Sequence, residues 1–321
     1  MTSVFVHPLS YEPLELIEDA FRSSDGSRFP IINGVPRFCE PENYTSSFGK
    51  QWNLFEKTQI DREISGEGIS ARRLFAETRW DPASLNGVDI LEVGSGAGRF
   101  SRALLQHTRA NLYSVDYSSA VEANYRNNAK LGSARFWLAQ ASIYEMPFPD
   151  DRFDKVLCLG VLQHTPDFER SVASLIAKAK PGGEIVVDFY AIRGWWTKVH
   201  AKYLFRPFTK RMDHEALLRL IDRNLDRLIA SSRLLHRAKL GVLTRFLPLV
   251  DLRTIPGHLP ETEKREWALL DTFDMFSPEH DHPQRIESVA RMFERNGADV
   301  TFAGYLEDLD RAAVVRAVKR N

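Results

Sequence analysis

The spacing of apolar residues changes from a strand period to a helix period within residues 88–105. Apolar side chains at four of the six positions of 88–93 predict a buried strand, and those of 100–105 predict a helix that begins at Arg99. Gly94, Gly96 and Gly98 lie between the two elements. A strand, a glycine turn and a helix in this order are typical of the first unit of a nucleotide-binding α/β fold, because glycine lets the backbone approach a ligand closely.

The same criteria predict six more strands and a helical insertion. The strands are expected at 111–116, 134–139, from 153, and at 184–190, 299–304 and 312–318. A helix is expected over 283–298, and helical spacing between 191 and 282 predicts a mostly helical cap. We therefore predict an α/β fold with a doubly wound sheet of seven strands, formed by 81–190 and 283–321 and interrupted by a cap at 191–282.

Residues 1–80 precede the sheet and divide into two parts. Two short apolar runs joined by Asn33-Gly34 predict a β-hairpin at 29–38, with a structural role. A helical face then follows, formed by residues at spacings of three and four: Tyr44, Phe48, Gln51, Trp52 and Phe55. This helix is either a lid over a bound ligand, with Tyr44 and Gln51 as its polar contacts, or plain core packing.

An acidic residue ends the second predicted strand and narrows the choice of ligand. Asp116 follows Gly98 by eighteen positions, where a carboxylate can accept both hydroxyls of a ribose. Arg99 stands where a dinucleotide site has its third glycine, so a nicotinamide or flavin site is the disfavoured alternative. The sequence here resembles the class I S-adenosylmethionine-dependent methyltransferases, whose E/D-x-G-x-G-x-G loop is matched by Glu92, Gly94, Gly96 and Gly98.

Three further segments carry the same resemblance. Residues 140–148 are similar to the family's D-A-x-x-L-P-F segment, with Ser142 where the family has an acid that binds the adenine amine. Residues 153–164 match F-D-x-V-x-x-x-G-V-L-x-H, and 180–183 match K-P-G-G, a turn before the fifth strand. The resemblance implies a Rossmann-like sheet whose last strand is antiparallel, with an N-terminal lid and an inserted cap.

By this resemblance the cofactor is S-adenosylmethionine, which leaves as S-adenosylhomocysteine. The residues expected to bind it are Glu92, Gly94, Ser95, Gly96, Gly98, Asp116, Tyr117, Ser142, Ile143, Gly160, Tyr44 and Gln51. The Ser142 hydroxyl can accept the adenine amine without charge assistance. No metal ligand set is expected: a site formed by Asp271, Asp274, His280 and His282 is the disfavoured alternative, because residues 279–283 read first as a loop.

The implied reaction is transfer of a methyl group to a small or medium-sized acceptor, which can be anionic. Because this methyl group is already activated, catalysis rests mostly on in-line positioning and exclusion of water. His164, at the carboxyl end of the fourth strand, is expected to take the proton if the acceptor atom is oxygen, our first expectation. Nitrogen and carbon acceptors are the alternatives, and His164 can instead only shape its loop.

Composition and charge limit the partners of the chain. Lys+Arg and Asp+Glu both number 43, so the total charge does not favour nucleic acid or a membrane surface. Within 193–245, however, thirteen Lys/Arg stand against four Asp/Glu, which predicts a cap that recruits an anionic acceptor. Two alternative functions stay open. One is a cofactor-binding scaffold or regulatory protein without activity, which Ser142 in place of the family's acid supports. The other is an RNA methyltransferase, which rests on the basic cap alone.

Cysteine usage and hydropathy point to a compartment. Cys39 and Cys158 are too few for a metal cluster and are expected to be reduced. The first ten residues do not have the pattern of a signal peptide, and no apolar run approaches the ~18 residues needed to span a bilayer. We therefore expect a cytoplasmic protein. Nothing in the sequence indicates an oligomeric state.

Overall fold

The computed structural model describes residues 4–40, 43–61, 68–132, 134–307 and 312–321. The chain divides into two units, one formed by 1–191 together with 280–321 and the other by 192–279. The first unit holds the N-terminal segment and the predicted sheet. The second lies within the predicted insertion, 191–282.

The N-terminal segment forms a small antiparallel sheet in the order β1-β2-β3-β4. Its strands are β1 (Glu15–Ile17), β2 (Ala20–Arg22), β3 (Arg28–Ile32) and β4 (Val35–Pro36). Asn33 and Gly34 both have positive φ, +51° and +80°, as a two-residue hairpin loop of this type requires. The predicted hairpin is therefore confirmed.

This small sheet shares its interior with the main sheet. The rings of Phe5, Phe21 and Phe38 pack together, and Phe5 also contacts Phe148, whose ring centroid lies 5.6 Å away. The buried Arg37 guanidinium donates to Gln140 Oε1 at 2.9 Å and to a Glu122 carboxylate oxygen at 2.9 Å. Aromatic packing and buried polar contacts together attach the N-terminal segment to the core.

Seven strands form the main sheet, in the order β10-β11-β9-β8-β5-β6-β7. They are β5 (Asp89–Val93), β6 (Asn111–Asp116), β7 (Phe136–Gln140), β8 (Phe153–Cys158), β9 (Ala179–Phe189), β10 (Ala298–Leu306) and β11 (Ala312–Lys319). Strand β11 runs antiparallel to both of its neighbours, β9 and β10, and the pairs among β5, β6, β7, β8 and β9 are parallel. The predicted doubly wound sheet with an antiparallel last strand is confirmed.

Helices cover both faces of this sheet. The helices of the unit are α1 (Ser46–Leu54), α2 (Ile69–Thr78), α3 (Arg99–His107), α4 (Val121–Asn128), α5 (Phe168–Lys178) and α9 (Ile286–Arg295). Apolar residues of α5 and α9, among them Val172 and Phe293, are buried with Leu91 of β5. Leu74 of α2 and Leu104 of α3 belong to a second buried apolar cluster, on the opposite face of the sheet. Apolar side chains of β5 therefore contribute to a core on each face of the sheet.

Three predicted elements begin two or more residues away from their predicted start. The fifth strand begins at Ala179 and not at Glu184, because Ala179 pairs with Phe153 and residues 180–183 bulge out before Glu184 pairs with Lys155. The third strand begins at Phe136, directly after Arg135, whose N–H donates to the Gly132 carbonyl at 2.8 Å and not to a neighbouring strand. Helix α9 is shorter than the predicted 283–298, since the Gln284 N–H is bonded to the Tyr190 carbonyl before the helix starts.

The second unit is mostly helical, as predicted from its apolar spacing. It contains α6 (Ala201–Thr209), α7 (His214–Arg237) and α8 (Glu261–Phe276), with short 3₁₀ turns between them. The Asp213 carboxylate caps α7 by accepting the N–H groups of Glu215 and Ala216. Arg265 of α8 pairs with Asp222 and Asp226 of α7, both at 2.9 Å. In the described ranges, no helix is both long and apolar enough to cross a membrane.

Candidate functional site

The glycine loop connects β5 to α3 at the carboxyl edge of the sheet. Gly94 has φ +79°, and a Cβ placed there would lie 2.2 Å from Val161 Cγ2. The N–H groups of Gly94 and Ser95 both donate to the Val115 carbonyl, at 2.7 and 3.2 Å. The loop backbone is therefore held between the ends of β6 and β8, and only glycine fits at position 94 without displacing a neighbour.

Asp116 ends β6 beside this loop. Its Oδ2 accepts the Gly96 N–H at 2.8 Å, and its Oδ1 accepts the Ser118 N–H at 2.8 Å and the Ser118 hydroxyl at 2.6 Å. Burial raises the pKa of Asp116, and these hydrogen bonds oppose the shift. A carboxylate has about four acceptor positions, so one remains on Oδ2. A ribose hydroxyl can be accepted at this position.

Glu92 supports the loop from inside the protein. Its Oε2 accepts the hydroxyls of Ser101 at 2.5 Å and Ser114 at 2.6 Å, and Asn124 donates to Ser101 and to the loop residue Ser95. Oε1 is buried without a hydrogen-bond partner. Burial raises the pKa of Glu92 to about 7 against the hydrogen bonds from Ser101 and Ser114. Glu92 therefore connects β5, β6 and α3 behind the glycine turn.

The segment after β7 carries the two residues predicted to hold adenine. Ser142 is buried, and its hydroxyl accepts the Tyr144 N–H at 3.2 Å in a local turn. The Ile143 side chain is buried in the apolar core on the α5 side of the sheet. The preceding Ala141 N–H donates to the Asp116 carbonyl at 3.0 Å, which brings this segment next to the end of β6.

Helix α1 lies over the glycine loop. A Cβ placed on Gly96 would come within 3.3 Å of the Trp52 Nε1 atom, and Asn53 Nδ2 donates to the Ser119 carbonyl at 2.9 Å. Gln51 is 2% exposed, and its Oε1 has no hydrogen-bond partner. Tyr44 precedes the helix, and its ring centroid lies 5.2 Å from that of Tyr117. The aromatic face of this helix therefore packs against the glycine loop and covers it. Trp52 contacts the loop, although it was not among the residues predicted to bind the cofactor.

His164 closes a 3₁₀ turn, Leu162–His164, that follows β8. Its Nδ1 lies 3.0 Å from the His280 carbonyl oxygen. A carbonyl only accepts, so Nδ1 carries the hydrogen and Nε2 of the neutral ring carries the lone pair. The ring is buried between those of Phe48 and Tyr190, with centroids 5.0 and 5.5 Å away.

A charged network joins β9 to the loop after β8. The Asp188 carboxylate accepts the Gly160 N–H and the Arg73 guanidinium, and Arg73 Nε also donates to Glu77 Oε1 at 2.7 Å. Burial raises the pKa of Glu77, the pairing with Arg73 opposes this, and the nearby Asp188 charge adds to it. A Cβ on Gly160, which has φ +75°, would meet no protein atom within 4 Å. Asp188 thus fixes a loop whose open side faces free space.

The family model described as a methyltransferase domain matches residues 91–187, the segment that carries the glycine loop, Asp116 and His164. Residues 91–187 therefore belong to a methyltransferase domain. The family, the fold class and the cofactor class predicted from the sequence are thereby confirmed.

Curated relatives of the methyltransferase domain differ in their names. The chain is 29% identical over 133 residues to a tRNA U34 carboxymethyltransferase of Nautilia profundicola, which covers 38% of this chain and 44% of that protein. It is 30% identical over 132 residues to a ubiquinone biosynthesis O-methyltransferase of Coxiella burnetii, with 40% and 55% covered. The chain therefore matches about half the length of these relatives.

The solved structures similar to this chain include two methyltransferases. A magnesium protoporphyrin IX methyltransferase from Synechocystis PCC 6803 has a TM-score of 0.48 at 15% identity, over 86% of this chain and 96% of that one. A SAM-dependent methyltransferase from Aquifex aeolicus has a TM-score of 0.45 at 12% identity, over 85% and 98%.

The residues of the methyltransferase domain fit the cofactor class on grounds of their own. The buried Gln51 Oε1 lacks a hydrogen-bond partner, and so do both amide atoms of Gln163, which is fully buried in the turn after β8. Asp116 Oδ2 retains one acceptor position, and Gly160 faces open space. Polar ligand groups at these positions would satisfy atoms that are otherwise costly to bury. Within the described ranges, no three His, Cys, Asp or Glu side chains come together as a metal site.

Proposed function

We propose that the protein transfers a methyl group from S-adenosylmethionine to a small or medium-sized acceptor, with oxygen as the favoured acceptor atom. The observation that carries the proposal is the meeting of the glycine loop with the carboxylate of Asp116, which accepts the Gly96 N–H at 2.8 Å beneath helix α1. Both lie at the carboxyl ends of parallel strands, where ligands of open α/β sheets bind.

The residues of the chain act on the cofactor mainly by binding and enclosing it. Asp116 accepts a ribose hydroxyl through its remaining Oδ2 position, and the loop backbone approaches without side chains in the way. Gln51 and Tyr44 approach from the lid, and Ser142 from the adenine side. The cofactor supplies an activated methyl group on a sulfonium. Trp52 and the rest of α1 exclude water from the loop.

His164 is the residue we assign to proton transfer from the acceptor. Its Nδ1 is committed to the His280 carbonyl at 3.0 Å, which leaves the lone pair on Nε2. An oxygen acceptor requires such a base only if its own pKa is high, as for an alcohol or a phenol. The neighbouring rings of Phe48 and Tyr190 favour an acceptor with an apolar or aromatic body. The relative named as an O-methyltransferase of ubiquinone biosynthesis supports this class of acceptor.

A second candidate function is RNA methylation. It has the support of a relative named as a tRNA carboxymethyltransferase and of the excess of Lys and Arg in 193–245. Against it, the whole chain has no net charge. The scaffold alternative predicts cofactor binding without methyl transfer to any acceptor.

Transfer of tritiated methyl groups from S-adenosylmethionine tests these alternatives. The acceptor panel holds phenols, alcohols, amines, carboxylic acids and bulk tRNA. The matched variant is His164→Asn, whose amide can still donate to the His280 carbonyl but cannot act as a base. We expect transfer to a hydroxyl acceptor, and a loss of about 10²-fold or more in kcat in His164→Asn with unchanged affinity for S-adenosylhomocysteine.

The other outcomes each reject a part of the proposal. Transfer to tRNA alone would replace the small acceptor by RNA. Cofactor binding without transfer to any member of the panel would favour the scaffold. An unchanged kcat in His164→Asn would reduce His164 to a residue that shapes the loop.

A further inference from the structure

Large apolar side chains are exposed on the second unit, in segments that adjoin each other. The surface is formed by Trp195, Trp196, Leu204, Phe205, Phe208 and Val242, and we call it the aromatic–basic face. Trp195 is 69% exposed, Phe208 73% and Val242 77%. Soluble proteins seldom leave so many large apolar side chains in water unless another surface covers them.

Helix α6 exposes its apolar side chains and buries basic ones, the reverse of an ordinary surface helix. Leu204, Phe205 and Phe208 share its exposed side, whereas Lys202 and Arg206 are buried. Arg206 donates to the Pro278 carbonyl at 2.8 Å, which holds the basic side of α6 against the rest of the unit. The exposed side of this helix is therefore suited to an apolar environment and not to water.

The two tryptophans are held in place by the 3₁₀ turn Gly241–Phe246. Arg245 donates to the Trp196 carbonyl at 2.5 Å and to the Val199 carbonyl at 2.7 Å, and its guanidinium lies 5.7 Å from the Trp196 ring centroid. The rings of Trp195 and Trp196 stack with centroids 3.7 Å apart. The turn that presents Val242 is thus fixed to the segment that presents both indoles.

Positive charge surrounds these side chains. Between Arg193 and Met212 the chain has six Lys or Arg residues and no Asp or Glu. Lys198, Lys210 and Arg211 are exposed, and among the described residues none of these three has an ion-pair partner. Tryptophan and phenylalanine at the acyl boundary, with lysine and arginine beside them, are typical of segments that lie on an anionic membrane surface.

We propose that the aromatic–basic face binds the surface of a bilayer that contains anionic phospholipids. The segment lies on the membrane and does not cross it, because α6 has nine residues and a span needs about twenty. The apolar side chains enter the acyl boundary, and the unpaired Lys198, Lys210 and Arg211 contact headgroup phosphates. This inference does not rest on the proposed methyl transfer.

Two other occupants fit the observations less well. A second copy of the chain would bring the exposed Lys198, Lys210 and Arg211 against the same three residues, which disfavours a self-complementary interface. Single-stranded RNA stacks its bases on aromatic rings, but the aliphatic Leu204 and Val242 offer no such ring. Both occupants are outcomes of the test below.

Flotation of the full chain with lipid vesicles tests the proposal. The vesicles are pure phosphatidylcholine and phosphatidylcholine with 30% phosphatidylglycerol, a mole fraction of about one third, which is enough to give a clear negative surface potential. We expect binding to the anionic vesicles, weak binding to the neutral ones, and release by high salt. The indole fluorescence should shift to the blue on binding, and this shift should be lost in the Trp195→Ser/Trp196→Ser double variant.

Single substitutions test the contributions of the basic residues and of the apolar side chains separately. Lys210→Gln should weaken partition into anionic vesicles about fivefold, and Phe208→Ser about tenfold or more. Leu9→Ser is the matched control, because Leu9 is 69% exposed but lies in the N-terminal segment, and it should leave partition unchanged.

Three results would overturn the proposal. They are absence of binding to anionic vesicles, equal effects of Leu9→Ser and Phe208→Ser, and concentration-dependent dimers that Phe208→Ser dissolves while vesicle binding is absent. Retention on a single-stranded RNA without vesicle binding would assign the face to nucleic acid.

Discussion

Replacing Glu92 with glutamine should stabilise the protein at alkaline pH and much less at acidic pH. Glu92 is 2% exposed, and burial raises its pKa from 4.5 to about 7. The folded state therefore holds the proton more tightly than the unfolded chain does. The stability due to this proton is fully present below pH 4.5 and is lost as the pH rises through 7.

The structure sets the size of this effect. The difference between the two pKa values corresponds to a free energy of about 3 kcal/mol, of which roughly 2–3 kcal/mol develops between pH 5 and pH 8. In Glu92→Gln the amide oxygen can still accept the hydroxyls of Ser101 and Ser114, at present 2.5 and 2.6 Å from the carboxylate. The variant therefore loses the titration and keeps the contacts.

Urea unfolding of the wild type and Glu92→Gln at pH 5 and pH 8 measures the difference. The free energy of unfolding of Glu92→Gln relative to the wild type should rise by roughly 2–3 kcal/mol between these pH values. Glu15→Gln, on an exposed strand of the N-terminal segment, is the control and should show no such change. If the difference in free energy of unfolding between Glu92→Gln and the wild type is the same at both pH values, Glu92 does not have the raised pKa on which this prediction rests.

Gly94→Ala should lower Tm by several degrees, because its Cβ would lie 2.2 Å from Val161 Cγ2; an unchanged Tm in calorimetry would contradict this packing. Gly160→Ala should lower the free energy of unfolding only by the strain of the left-handed backbone, about 1–2 kcal/mol, because the new Cβ would contact no protein atom. It should weaken S-adenosylhomocysteine binding, because this Cβ would point into the space that we assign to the cofactor. Equal binding by wild type and Gly160→Ala would count against this position. Arg37→Met should lower the free energy of unfolding by roughly 1–3 kcal/mol in urea, as Gln140 and Glu122 lose a buried donor; no loss would show that these contacts do not hold the N-terminal segment.

Local patterns predicted the elements near the glycine loop well. Strand β6 runs from Asn111 to Asp116 as expected, because its apolar residues are followed by the acid Asp116 and then by the polar residues of a turn. Helix α3 starts at Arg99, directly after Gly98 with its left-handed φ. Both boundaries depend on backbone conformations that neighbouring residues determine, and these are visible in the sequence.

Other features depend on pairs that are far apart along the chain. Arg73 and Asp188 are 115 positions apart, and no periodicity connects α2 to the end of β9. The early start of β9 at Ala179 follows from its pairing with Phe153 and not from its own residues, which include Pro181 and two glycines. The acceptor capacity of Asp116 likewise depends on the Gly96 N–H reaching it across the sheet edge.

Calorimetric titration with S-adenosylmethionine and S-adenosylhomocysteine tests the central claim most directly. The account predicts saturable binding of both by the wild type and by Asp19→Ala, which removes an exposed carboxylate of the N-terminal segment. It predicts binding weaker by about tenfold or more in Asp116→Ala, because a charge-assisted hydrogen bond is lost. Absence of binding by the wild type, or equal affinity in Asp116→Ala, would contradict the assignment of this sheet edge as the cofactor site.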